Sequence, residues 1–88
     1  MSRHLCFTDQ AWDEYVYWQT QDRKTLKRIN TLIEATKHDP FAGIGKPEGL
    51  LGDMLGFWSR RIDERHRLVY AVDEKALSIL ACRYRYGE

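Results

Sequence analysis

The sequence predicts an α+β fold in which two N-terminal helices lie on one face of a small, mostly antiparallel sheet and leave its other face open. Three observations predict it. Residues 9–37 hold two stretches in which apolar side chains return every three or four positions. Residues 56–84 hold three stretches of alternating character separated by acidic turns. Between them, Phe41 to Gly56 has five of the six glycines, the second proline and no sustained period. With 88 residues the chain has material for one core, so a single domain over 1–88 is expected.

The elements follow in order. Arg3 to Phe7, with leucine, cysteine and phenylalanine, suits a first strand. Thr8 can cap a helix whose first residues, Asp9 and Gln10, suit its positive end. Trp12, Tyr15, Val16 and Gln19 share one face of that helix, with Ala11 and Trp18 beside it. Trp12, Tyr15 and Trp18 are expected in the core or at a subunit contact. Asp22 is the next cap, and Leu26, Ile29, Leu32, Ile33 and Thr36 form the apolar stripe of a second helix. Its other face carries Lys24, Lys27, Arg28, Thr31 and Lys37, either a solvated face or one that leans on an RNA backbone. Asp39-Pro40 stops the helix, because a residue before proline is disfavoured in helical geometry.

The sixteen residues from Phe41 to Gly56 are expected to be a functional or mobile loop. Strands are then expected at Gly56 to Asp63, His66 to Val72 and Leu77 to Tyr84, with turns at Asp63-Glu64-Arg65 and Asp73-Glu74-Lys75. A three-residue first turn sets Arg61 opposite Arg67 and gathers Phe57, Ser59, Arg61, Arg67, Val69 and Ala71 on one face. Trp58, Arg60, Ile62, His66, Leu68, Tyr70 and Val72 then face the helices, and Arg60 is expected in an ion pair or against a partner. Two directly opposed arginines repel unless an anion lies between them. A turn of even length would separate the pair, and the sequence alone leaves that alternative open. A two-residue turn at Glu74-Lys75 puts Leu80, Cys82, Tyr84 and Tyr86 on the arginine face and Arg85 on the other; Arg85 can join the site only if the chain leaves the sheet or bulges near Tyr84.

Bulk properties exclude several functions. The net charge of +1 rules out a globally basic nucleic-acid binder, so any anion site is local. No apolar run approaches the roughly 18 residues of a membrane span, and no signal peptide is visible in the first residues. Cys6 and Cys82 are read as buried free thiols in a reducing compartment. His4, His38 and His66 lack metal-ligand spacing, so neither a metal nor another cofactor is expected.

An arginine pair, one loop carboxylate at Glu48 and C-terminal tyrosines are parts that suit a ribonuclease working without metal. RNA supplies its own nucleophile, the 2′-hydroxyl, so the protein needs a base, cations for the phosphorane and an acid for the leaving oxygen. Arginine suits the second task, since its fork of donors matches phosphate oxygens. Lys46 is a candidate phosphate contact and Tyr84 a candidate stacking platform for bases. His66 is a candidate substitute acid, or else a turn histidine bonded to backbone.

These residues carry a family resemblance. Trp12-Asp13-Glu14-Tyr15, Tyr17-Trp18-Gln19, Asp39-Pro40-Phe41, Gly45-Lys46-Pro47-Glu48, Gly56-Phe57-Trp58-Ser59-Arg60-Arg61-Ile62, His66-Arg67-Leu68-Val69-Tyr70-Ala71-Val72 and Ala81-Cys82-Arg83-Tyr84 resemble the YoeB (Txe/YoeB) toxins of the RelE superfamily, from about Leu5 to Tyr86. The resemblance implies the RelE-like microbial ribonuclease fold and a cytoplasmic, ribosome-dependent endoribonuclease that cuts mRNA in the A site. It also implies a YefM-like antitoxin as partner; whether the toxin acts as monomer or homodimer stays open. By that resemblance Glu48 is the base, Arg61 and Arg67 hold the phosphate, and Tyr86 is the C-terminal tyrosine of the site. Two positions depart from the family pattern. The family's histidine between the last two tyrosines is Arg85 here, which can stabilise charge but hardly donate a proton. A basic residue common shortly after the glutamate is Leu51. The alternative to a nuclease is therefore a weakened or silent module that binds ribosome and antitoxin, and whether Arg85 is natural or engineered is not legible in one sequence.

Overall fold

In the computed structural model, which describes residues 3–84, a strand β1 (His4–Phe7) leads into helices α1 (Asp9–Gln21) and α2 (Arg23–His38). Four strands follow: β2 (Glu48–Gly49), β3 (Trp58–Arg61), β4 (Arg67–Val72) and β5 (Ala76–Ala81), with one 3₁₀ turn at Gly52–Met54. The sheet order is β1-β5-β4-β3-β2; β1 runs parallel to β5 and the other pairs are antiparallel. The predicted α+β class is the one observed.

Local chemistry sets the helix ends. The Thr8 hydroxyl accepts from the Ala11 amide at 3.1 Å and donates to the Leu80 carbonyl at 3.2 Å, so the cap of α1 is also a tie to the sheet. Asp22 ends α1 through its own amide, bonded to the Trp18 carbonyl, and starts α2 by accepting from the amides of Lys24 and Thr25. Those amides, the Thr25 bond foremost, hold the Asp22 carboxyl below the usual aspartate range. Asp39 closes α2 with its amide on the Ala35 carbonyl.

The expected stripe of α2 is buried at Ile29, Leu32, Ile33 and Thr36, against Leu68, Tyr70, Leu77 and Ile79 of the sheet. Helix α1 departs from expectation. Its buried residues are Ala11 and Trp18, while Trp12 and Val16 are 51% and 41% exposed and Gln19 is exposed. The small Ala11 side chain lets the helix approach the sheet closely, and the bulky ring of Trp12 stays on the flank against Phe7 and Tyr15. Tyr15 packs on the margin of the core.

The β4–β5 hairpin has the expected two-residue turn, with Val72 opposite Leu77 and Tyr70 opposite Ile79, but Val69 then meets Ala81 instead of Leu80. This bulge inverts the parity of Ala81 and of Cys82 directly after it. Cys82, expected on the open face, is thereby turned into the core, where it is 0% exposed. Helix α1 holds it on three sides: Glu14 accepts its amide at 2.8 Å, Trp18 Nε1 donates to its carbonyl at 2.9 Å, and its Sγ sits 3.7 Å from the Ala11 carbonyl. Burial pushes the Cys82 thiol up to about 12, so it stays protonated and inert. Cys6, read as buried from sequence, is exposed: β1 is an edge strand, paired on one side only and too short to be covered on both faces.

Candidate active site on the sheet

The β3–β4 turn spans Asp63, Glu64 and Arg65, closed by the Ile62 amide on the His66 carbonyl at 3.0 Å. Asp63 Oδ1 accepts from the amides of Arg65 and His66 at 2.8 and 2.7 Å, which gives the turn its shape. Arg61 consequently stands directly opposite Arg67, the expected register. Arg61 is exposed and Arg67 half-buried.

Part of the predicted sixteen-residue loop is a strand. Glu48 and Gly49 pair with Ser59 and Trp58, which makes β2 the outer edge of the sheet beside β3. Because paired residues share a face, Glu48, Ser59 and Val69 form one row, and Arg61 and Arg67 the next row on the same side. Strand spacing then puts Glu48 about 8 Å from Arg61 and about 12 Å from Arg67, backbone to backbone. Long side chains in adjacent rows can converge on one phosphodiester across such spans. Glu48 is exposed. Lys46 lies at the Arg61 end of this array: the Gly45 carbonyl accepts the Arg61 amide at 2.7 Å, and Lys46 follows with a left-handed φ of 51° just before Pro47.

Arg67 is partly tethered. Its Nη1 donates to the carbonyls of Asp63 at 2.7 Å and His66 at 3.1 Å. Those bonds hold one corner of the guanidinium, and no partner among the described residues takes the Nε–Nη2 edge, the pair of parallel donors that fits two phosphate oxygens. Arg28, on the cationic side of α2, donates through Nη2 to the Arg61 carbonyl at 3.2 Å. That face of α2 therefore reaches the rim of the arginine pair.

Arg60, one position before this row, points the other way and is 0% exposed. The expected ion pair is not what holds it. Its guanidinium donates to the carbonyls of Asp39, Ala42 and Ile44, the last two each at 2.9 Å, and its Nε lies 3.3 Å from the Tyr70 hydroxyl. Tyr70 in turn donates to the Pro40 carbonyl at 2.6 Å, and burial raises its phenol above the ordinary range. One arginine thus satisfies three carbonyls of the loop. Gly45 shows how close the approach is: at φ +82°, an added Cβ would sit 2.8 Å from Leu32 Cδ2 and 3.1 Å from Arg60 Cβ. Sequence reasoning missed this role. The available signal was an arginine in a core-facing position beside a glycine-rich segment. Arg60→Met is expected to lower stability by on the order of 3 kcal/mol, since it strands buried carbonyls without donors; urea unfolding measures it, and a loss below about 0.5 kcal/mol, the scale of an ordinary surface change, would contradict the role.

Tyr84 departs from the predicted open face, because β5 ends at Ala81 and strand alternation no longer governs it. Its backbone adopts φ +64°. Its ring lies 5.6 Å from the His66 ring and 4.6 Å from the Arg83 guanidinium, with Arg65 at 5.5 Å. Arg83 also stacks 3.7 Å over Tyr17 of α1. A role in stacking RNA bases therefore has to compete with these contacts. His66 packs edge-on to Trp18 at 4.9 Å, and its Nδ1 accepts the Tyr84 amide at 2.7 Å, as in the backbone-bonded reading. Arg85 and Tyr86 lie outside the described residues.

The fold so far defines a small α+β domain in which one sheet face collects an arginine pair and one carboxylate in neighbouring rows, with Ser59 and Val69 of the Glu48 row buried. Comparison gives the family. A family model described as YoeB-like toxin of bacterial type II toxin-antitoxin system matches residues 7–86, and the chain belongs to that family. Toxin YoeB of Escherichia coli K12 is 54% identical over 82 residues, 93% of this chain and 98% of that protein. A YoeB/ParE toxin from Agrobacterium tumefaciens superposes with a TM-score of 0.91 at 47% identity, covering 94% of this chain and 99% of that one. The YoeB of Staphylococcus aureus, 41% identical, has been solved as a dimer, with a TM-score of 0.89, and in a heterotetrameric complex with YefM, with a TM-score of 0.87; each covers 96% of this chain and 98% of that one.

Proposed function

We propose that this chain is a ribosome-dependent endoribonuclease toxin that cleaves mRNA in the A site and is neutralised by a YefM-like antitoxin. The carrying observation is the opposed Arg61–Arg67 pair with Glu48 in the adjoining row of the same face. In the reaction, Glu48 takes the proton of a 2′-hydroxyl, whose oxygen attacks the neighbouring phosphorus. Arg61 and Arg67 bind the phosphorane oxygens as charge builds on them, with Lys46 at the rim. The 5′-oxygen leaves and takes a proton from water, giving a 2′,3′-cyclic phosphate and a new 5′-hydroxyl. Tyr86 orients the reacting groups and Arg85 adds a further cation. No step asks for a metal ion. The reaction is placed in the cytoplasm, where ribosomes are, and among the described residues no helix is long and apolar enough to cross a membrane.

Arg85 in the family's histidine position favours a second reading, a module that keeps the ribosome and antitoxin surfaces but does not complete proton transfer. Expression in a bacterial host separates the two. Growth arrest with cuts mapped inside translated mRNA, suppressed by a co-expressed YefM-like protein, is expected. Arrest without cuts would favour the binding module.

A further inference from the structure

The last described residues are tied down far more tightly than a chain end requires. Beyond the bulge, Cys82 is held by Glu14 and Trp18, and Arg83 lies between the rings of Tyr17 and Tyr84. Tyr84 is held at both backbone groups: its amide donates to His66 Nδ1 at 2.7 Å, and its carbonyl accepts the Arg67 amide at 3.0 Å. The two holding residues are neighbours at the start of β4, and one of them is a member of the arginine pair. A left-handed tyrosine is intrinsically unfavourable, so its φ of +64° requires such outside support.

We propose that His66 is a positioning residue of the reaction: its Nδ1 and the Arg67 amide together fix the backbone of Tyr84, and with it the point from which the chain continues to Arg85 and Tyr86. The inference rests on the nuclease reading above and assigns His66 a part other than proton donor. The accepting Nδ1 places the proton of the neutral ring on Nε2, and the ring lies edge-on to Trp18, on the side of the sheet facing α1. Its carbonyl meanwhile receives Arg67 Nη1 and the amides of Ile62 and Asp63. One residue thereby sets the relation between the phosphate-holding hairpin and Tyr84. Misplacement of reacting groups by about 1 Å is enough to cost about 10²-fold in rate.

Two substitutions of equal polarity test this. In His66→Asn the side-chain oxygen occupies the place of Nδ1 and can still accept the Tyr84 amide; in His66→Gln it reaches one atom further and cannot without moving the backbone. Single-turnover cleavage on programmed ribosomes is expected to stay within a few-fold of wild type for H66N and to fall about 10²-fold for H66Q, with ribosome affinity unchanged in both. The Tyr84 amide, followed by hydrogen exchange, should be protected in wild type and H66N and exposed in H66Q. Equal, large losses in both variants would make His66 a proton donor and overturn the positioning role. Wild-type rates in both would overturn it while leaving the nuclease reading intact. A wild-type chain that cuts nothing would overturn both.

Discussion

Glu48→Gln is expected to lower ribosome-dependent cleavage by about 10²- to 10⁴-fold, the usual worth of a general base, with folding unaffected. The carboxylate is exposed at the end of a two-residue edge strand, so the amide fits without repacking. Arg67→Ala is expected to cost about 10²- to 10³-fold in the chemical step, as for loss of one donor to a developing oxyanion. It also releases the Asp63 and His66 carbonyls from Nη1, so its melting temperature should fall slightly where that of E48Q does not. Arg67→Lys keeps the charge and loses the fork; a rate nearer to that of the alanine variant would show that two-point contact matters more than charge. The double variant E48Q/R67A should fall short of the product of the single losses, because base and clamp act on one transition state. Full cleavage by the double variant would remove both residues from the mechanism. The measurement is single-turnover cleavage at saturating toxin, which isolates chemistry from binding.

The arginine register was legible because it depends on two local quantities, strand parity and turn length. Asp63 fixes the turn at three residues through bonds to its own neighbours, and Arg61 then meets Arg67 without help from the rest of the fold. The helix caps Thr8 and Asp22 were legible for the same reason. What escaped was set by contacts distant in sequence. The strand carrying Glu48 is two residues long, shorter than any periodicity can reveal, and exists because β3 offers it a free edge. The bulge at Leu80 has no mark in the sequence of β5. It brings Cys82 to Glu14 and Trp18, 68 and 64 residues away. Arg60 could be placed on the core face by parity, but its acceptors are main-chain carbonyls, which leave no trace in side-chain pattern. The edge position of β1, which exposes Cys6, follows from a parallel pairing with the last strand that the order of elements left undecided.

Arg85→His is expected to raise the rate of the chemical step by about 10²-fold or more, within the range that general acid catalysis contributes. The 5′-oxygen departs as a strongly basic alkoxide unless it is protonated as the bond breaks. Arginine, titrating above about pH 12, is a very poor donor near neutrality, whereas an imidazole with an ordinary pKa of about 6.5 holds a transferable proton there. The two chains should also differ in pH dependence. With histidine, the rate acquires a descending limb as pH rises through the imidazole range and the acid form is lost. With arginine that limb is absent. Affinity for the ribosome should change little, since both side chains can be cationic. Unchanged single-turnover rates and an unchanged profile in R85H would mean that the leaving oxygen takes its proton from elsewhere, and the attenuation attributed to Arg85 would fall.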